Sequence, residues 1–526
     1  MAASFSIIQA MMQAMGGTTP LVADPIFATV GDSITQFAQQ GISLTGFTIT
    51  RDASGLVTLA KTNHGIFGDS KVFIANPTDS TYAVMGDGHY VDANNYTVQT
   101  TVTGAAGSTT PGANCFAVKM SCLTGRGVIE NLQRRLKGGV KFVGAFAQGG
   151  MSASAMGPEC DLACATNANF IIIEAGVNDI RGGATAAATA SSVITLINKV
   201  TTAGKVAVVI SINPQGSQVP SYGTYNDKAV AANTTIAAAC NGTTAIYVDT
   251  NTGLTDTGTS SPNLAAWSWS VITSDGIHPH SRAADYRAQQ IITPISSKIT
   301  THDLLPVSSA TVPYSGAVAN TTIVRDYNLW PGFTSTTSGF FTGASGTRGN
   351  NQNASRDVGS PTTTMSILAD PGDNKGSITR LVIQPAAAND RVKFWGNTSA
   401  ETIATAGLAV GDYFVIACEV YGYSNWDASQ ASGLYVAALS NSSGTFCDGF
   451  GGNDGGTTEA TVSGTNVYYG DSTATPFYLV SGVMKVHSSM TTVSANVFAQ
   501  FAGFTASQPL TLDIRRLTLI KLPLGY

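Results

Sequence analysis

The chain has 526 residues, a net charge of −5 and only 11% charged side chains, against roughly 25% in ordinary soluble domains. That length calls for two to four domains, each with a sizeable core, and the abundance of Gly, Ala, Ser, Thr and Asn fits a β-rich extracellular or virion surface protein. With no Lys/Arg cluster there is nothing to grip a phosphate backbone, which excludes nucleic acid, and apolar runs such as 169–175 and 206–212 are far too short for the roughly 20 residues of a membrane span.

In chain order, residues 1–23 lack the basic start and long apolar stretch of a secretory signal. The short apolar helix expected at 5–15 is read as an attachment or oligomerisation segment. From 24 to 302, short apolar runs alternate with helical patterns, as in an α/β layer fold. Strands are expected at 26–30, 141–147, 169–175, 205–213 and 244–249, and helices at 127–136, 184–202, 227–239 and 283–298. Parallel strands joined by right-handed crossovers follow.

A long excursion at about 41–124 interrupts this alternation, with extended runs at 70–75, 82–85 and 95–101. Its Gly, Asp and Asn punctuation marks a β insertion, expected to wall the site because it leaves the fold just after Ser33. Residues 303–315 read as a linker. Beyond them, 316–526 show alternation at 411–419, 434–439, 477–486, 491–501 and 510–522 without helices, which indicates a jelly-roll-like β-sandwich.

The seven cysteines are an odd number and imply no disulfide framework. Cys160 and Cys164 have no further ligands nearby in sequence, so a structural role is expected and no metal. His64, His89, His302 and His487 have no partners at metal spacing and receive no function; His280 is expected to be exposed.

Four segments carry chemistry, each at the end of an expected strand or on a late loop, where open parallel sheets bind ligands. Gly31-Asp32-Ser33-Ile34-Thr35 follows the first strand, and a Ser at such a turn is lifted clear of the backbone, although an ordinary turn with a helix N-cap would look the same. Gln148-Gly149-Gly150-Met151-Ser152 follows the second; its glycines let backbone approach a substrate, although a plain tight turn would look the same. Gly176-Val177-Asn178-Asp179 follows the third and offers a side-chain amide as a neutral donor, or simply a helix cap. Asp275-Gly276-Ile277-His278-Pro279 precedes the closing helix, and its spacing can set a carboxylate against an imidazole, or simply leave a histidine without a role on a surface loop.

In this order the four segments resemble the conserved blocks of the SGNH (GDSL-like) hydrolases, over about residues 24–300 without the insertion. The resemblance implies a flavodoxin-like three-layer parallel sheet and an esterase needing no cofactor, with Ser33 as nucleophile and Asp275 and His278 completing a triad. It also implies an oxyanion hole made by the N–H groups of Ser33 and Gly150 and the amide of Asn178. The second block is the loosest match. Gly149 and Gly150 are adjacent, and Gly150 is preferred as donor because Ser152 follows two residues later.

Members of the family act on sugars, lipids, thioesters and small esters. Trp267 and Trp269 could flank the substrate, or pack in a strand. Trp330, Trp395, Trp426, Tyr421 and Tyr423 could stack on sugar rings, or fill the sandwich core. Together with the β-rich tail these features favour removal of O-acetyl groups from a bacterial surface polysaccharide, by a phage tail fibre or tailspike protein assembled as a homo-oligomer, a trimer if a fibre. A receptor-binding protein on a hydrolase scaffold and a secreted carbohydrate or lipid esterase are the competing readings.

Overall fold

The computed structural model describes residues 22–522 except 24, 37–38, 65, 67–69, 101–105, 124–126, 217–218, 253–275, 280, 302, 306–321, 327–335, 338–341, 350–351, 396–400, 426–430, 441–445, 449–475, 487, 489 and 502–507. The expected helix at 5–15 lies outside the described residues, as do Asp275, Trp267, Trp269, Trp330, Trp426, His280, His302 and His487.

Five strands build the central sheet: β1 (Ile26–Gly31), β2 (Lys141–Ala147), β3 (Phe170–Glu174), β4 (Val206–Ile210) and β5 (Ala245–Val248). They pair in the order β2-β1-β3-β4-β5, and every pairing is parallel. This is the flavodoxin-like order. Both faces are covered, so the strands are nearly continuous apolar runs, as in the FIIIE of β3. Their period-two alternation divides the core. Ala28, Val30, Ile171, Ile173 and Val209 face one helical layer, while Phe27, Phe170, Ile172, Val208 and Ile246 face the other.

Among the described residues seven helices accompany the sheet: α1 (Ser33–Gln36), α2 (Val128–Arg135), α3 (Gly157–Ala165), α4 (Val177–Arg181), α5 (Ala186–Thr202), α6 (Tyr222–Ala239) and α7 (Ser281–Ile295). Helices α3, α5 and α6 pack on one face through residues such as Ala163, Leu196 and Ile236; α2 and α7 pack on the other through Leu132, Ala288 and Ile291.

The insertion is an eight-stranded antiparallel sheet spanning Gln39 to Leu123. Its strand Ser70–Pro77 alternates Val72 and Ile74 toward the insertion's own core with Phe73 and Ala75 toward the main core. The Phe73 ring lies 5.6 Å from that of Phe146 on the edge strand β2, so the insertion is anchored to that strand. The run expected to be extended at 82–85 is instead a 3-10 turn, Ser80–Tyr82, followed by the strand Met85–Tyr90. Asp79 Oδ1 accepts from Thr81 N at 2.9 Å and caps that turn. His64 is structural: its Nδ1 accepts from Ile66 N at 2.9 Å, which leaves Nε2–H to donate to Asp92 O at 2.7 Å.

The C-terminal region is all-β, with an eight-stranded and a six-stranded sheet sharing one core that includes Leu381, Phe414, Ile416 and Leu512 from the first and Phe394, Leu434, Val497 and Phe501 from the second. The strand expected over 477–486 is broken into Phe477–Val480 and Met484–Lys485. Ser481 Oγ accepts the Ile416 N–H at 2.9 Å, a side chain standing in for the ladder carbonyl.

This region is docked on the α/β layer. Leu304 and Leu305 are buried with Val415, Tyr478 and Ile520. Tyr478 Oη donates to Asp303 Oδ2 at 2.7 Å, so residues 303–305, read as the start of a linker, are packed rather than free. Tyr413 Oη donates to Asp87 Oδ1 at 2.9 Å and joins the region to the insertion.

Candidate active site

The carboxyl ends of β1, β2 and β3 lie side by side, and the first three chemical segments leave from them. Gln148 N donates to Gly31 O at 3.2 Å, which brings the second segment against the first. Ser33 opens α1 directly after β1 and is partly exposed. Its neighbour Asp32 is turned inward, 1% exposed, with Oδ1 accepting the Ile34 N–H at 3.0 Å and thereby shaping the turn.

His278 stands on the loop before α7. Two contacts fix that loop: Gly276 O accepts from Gly216 N at 2.8 Å, and Ile277 packs against the main core. The imidazole Nε2 lies 2.9 Å from Ser33 Oγ, across 245 positions of sequence. With Nδ1 protonated, Nε2 accepts the hydroxyl proton, the arrangement that makes a serine nucleophilic.

Residues 148–151 form a tight turn, Met151 N donating to Gln148 O at 3.2 Å. Gly150 takes its third position with φ +81°, a conformation that a type II turn reserves for glycine. A Cβ there would meet nothing within 4 Å, so the space in front of Gly150 is open. Among the described residues no group accepts its N–H, whereas Gly149 is engaged elsewhere.

Asn178 and Asp179 reach across to the same turn. Asn178 Nδ2 donates to Met151 O at 3.1 Å, and Asp179 Oδ2 accepts the Ala153 N–H at 2.7 Å. The Asn178 amide has a second hydrogen for another acceptor. The glycine makes a turn, the asparagine donates to it, and both lie at the edge where Ser33 stands.

Residues 123–285 match the family model described as GDSL-like Lipase/Acylhydrolase. The chain carries a GDSL-like acylhydrolase domain. The match begins at the insertion's last residue, so Ser33 lies outside it. In the fold, β1 runs between β2 and β3 and delivers Ser33 to the acylhydrolase domain's own His278. The domain is similar to an acetylxylan esterase from Geobacillus stearothermophilus (10% identity, 52% of this chain and 95% of that one, TM-score 0.30). It is also similar to a member of the lipolytic protein G-D-S-L family from Veillonella parvula (16% identity, 32% and 86%, TM-score 0.26). No curated protein sequence matches the chain.

Below Ser33 lies a buried polar group that motif reading passed over. Thr35 Oγ1 donates to Glu174 Oε2 at 2.7 Å, and Arg287 from α7 hydrogen-bonds Glu174 Oε1. Burial pushes the Asp32 carboxyl up from 3.8 to about 8, opposed by the Ile34 N–H and reinforced by the nearby Glu174 carboxylate. The signal for Arg287 was present: Ala284, Ala288, Ile291 and Ile295 form an apolar stripe, and an arginine at 287 falls on that same face.

Three of the aromatics considered for sugar stacking are engaged within the β region, while Trp330 and Trp426 lie outside the described residues. Trp395 is buried beneath the Lys393 ammonium, Tyr421 lies under the Arg515 guanidinium at 4.7 Å, and Tyr423 packs edge-on to Phe477. Among the described residues no cluster of three metal-ligating side chains occurs, and no helix is long and apolar enough to cross a membrane.

Proposed function

We propose that this chain is a serine ester hydrolase with Ser33 as nucleophile, His278 as general base and Asp275 as the carboxylate that orients His278. The 2.9 Å approach of Ser33 Oγ to His278 Nε2, beside an open glycine turn, carries this reading. In the reaction, His278 takes the hydroxyl proton as Ser33 Oγ attacks the acyl carbonyl, then returns it to the leaving alcohol oxygen. The N–H groups of Ser33 and Gly150 and the Asn178 amide bind the oxyanion, and water then releases the acid by the same steps in reverse.

For the substrate we propose an O-acetylated carbohydrate such as a bacterial surface polysaccharide. Support comes from architecture: an all-β region, in the place where a glycan-binding module would serve the esterase, is docked against the insertion and the α/β layer through Tyr413 and Tyr478. The test compares wild type, Ser33→Ala and His278→Ala on 4-nitrophenyl acetate and on a panel of O-acetylated polysaccharides. Wild type should release acetate, and both variants should fall by about a thousandfold or more. Equal hydrolysis by Ser33→Ala and wild type would end the esterase reading and leave a binding protein on a hydrolase scaffold. Ester turnover without acetate release from any glycan would end the carbohydrate reading alone.

A further inference from the structure

The two reacting groups come from opposite ends of the domain: Ser33 from the β1–α1 turn and His278 from the loop that feeds α7. Their mutual placement depends on what joins those two pieces beneath the surface. Thr35, two residues past Ser33, donates its hydroxyl to Glu174 Oε2 at 2.7 Å. Arg287, nine residues past His278 on α7, hydrogen-bonds the other oxygen of the same carboxylate. Glu174 ends β3, the strand beside β1, so one carboxylate on the rigid sheet holds the nucleophile turn on one side and the helix behind the base on the other.

The backbone is shaped to permit this bridge. A Cβ on Gly31 would stand 2.1 Å from Thr35 Oγ1 and 2.7 Å from Glu174 O, so only glycine lets the turn close on the carboxylate. Arg287 is 1% exposed, so its charge has no solvent to fall back on, and Glu174 is its ion-pair partner. The other flank of α7, facing α2, is fixed too: Asp285 accepts from Arg135 Nε at 2.9 Å and forms a buried ion pair with Arg134. Both arginines belong to α2, and the Arg134 guanidinium lies 5.3 Å from the Phe477 ring of the β region. Helix α7 is thereby clamped from both sides.

We propose that Glu174 is a positioning residue, and that the Thr35–Glu174–Arg287 bridge sets the distance between Ser33 and His278. The proposal rests on the esterase reading for its catalytic consequence, while the anchoring itself stands on the fold. Thr35→Val removes the hydroxyl at nearly constant shape, and Thr35→Ser restores it. Both would be made in the full chain and assayed on 4-nitrophenyl acetate, with active sites counted by a fluorophosphonate ester. Amide hydrogen exchange of the 31–36 segment would be followed in parallel.

For Thr35→Val, kcat per titrated site should fall about tenfold or more with KM within about twofold, because a small misplacement of reacting atoms acts on the chemical step. Exchange of the 31–36 amides should rise about tenfold, and Thr35→Ser should recover both to within about threefold. Glu174→Gln, which keeps an acceptor but loses the charge facing Arg287, should show the same pattern. A Thr35→Val protein with fewer titratable sites but wild-type kcat at each would make the bridge merely structural and overturn the proposal, as would unchanged exchange. If wild type neither turns over nor reacts with the phosphonate, the esterase reading fails, and the exchange data still decide whether the bridge holds the turn.

Discussion

Replacing Asp32 with Asn should abolish the pH dependence of stability that this residue imposes on the domain. Folded, the carboxyl is buried beside Glu174 and Asp179; among the described residues its Oδ2 has no hydrogen-bond partner and Arg287 is the neighbouring charge that favours ionisation, and its pKa is raised from 3.8 to about 8. In the unfolded chain it ionises near 4. Between those limits the folded state holds one proton more than the unfolded state, so this group's contribution to stability is fully present below pH 4 and is lost as pH rises toward 8. The slope is about 1.4 kcal/mol per pH unit, hence about 3 kcal/mol between pH 5 and 7.

Asn keeps the Oδ1 acceptor for the Ile34 N–H and removes the titration. The difference in unfolding free energy between Asp32→Asn and wild type should therefore grow in favour of the variant by about 3 kcal/mol from pH 5 to 7 and level off above about pH 8. Urea unfolding at each pH, read by hydrogen exchange of peptides from β1 and β3, isolates this domain's transition from that of the β region. A difference that stays constant across pH 5–7 would refute the reasoning, since titrations elsewhere cancel in the comparison.

Asn178→Ala should lower kcat by about two orders of magnitude, corresponding to roughly 3 kcal/mol of transition-state stabilisation, and steady-state kinetics on an acetate ester would show it; an unchanged kcat would remove Asn178 from the oxyanion site. Asp285→Ala would remove the carboxylate that pairs with buried Arg134 and with Arg135. It should destabilise the domain by about 3–5 kcal/mol, measured by the same urea and exchange method; a loss under about 1 kcal/mol would mean that the pair behaves as an exposed one.

Much of the fold was legible because its signals are local. The apolar runs of β3 and β4 are bounded by glycine and asparagine, and each is long enough for one strand and too short for a buried helix. The strand Thr362–Leu368 escaped notice because it begins with three threonines and presents Thr363 and Met365 inward, a faint alternation beside the Leu- and Ile-rich Leu510–Lys521 on which its neighbour pairs. The family match likewise starts only at residue 123, since an eight-stranded insertion separates Ser33 from the rest of its domain.

By itself the sequence determined the segments with chemical potential: a serine after a strand, a glycine turn, an asparagine and a histidine before the closing helix, all specified by neighbours within a few positions. Only the tertiary structure decided that Ser33 and His278 meet at 2.9 Å, that Asp32 turns inward to become a weak acid, and that Glu174 joins Thr35 to Arg287. The physical reason is range. Turn and strand preferences act along a few residues of chain, whereas burial, ion pairing and proton affinity depend on groups that the parallel sheet brings together from more than a hundred positions apart.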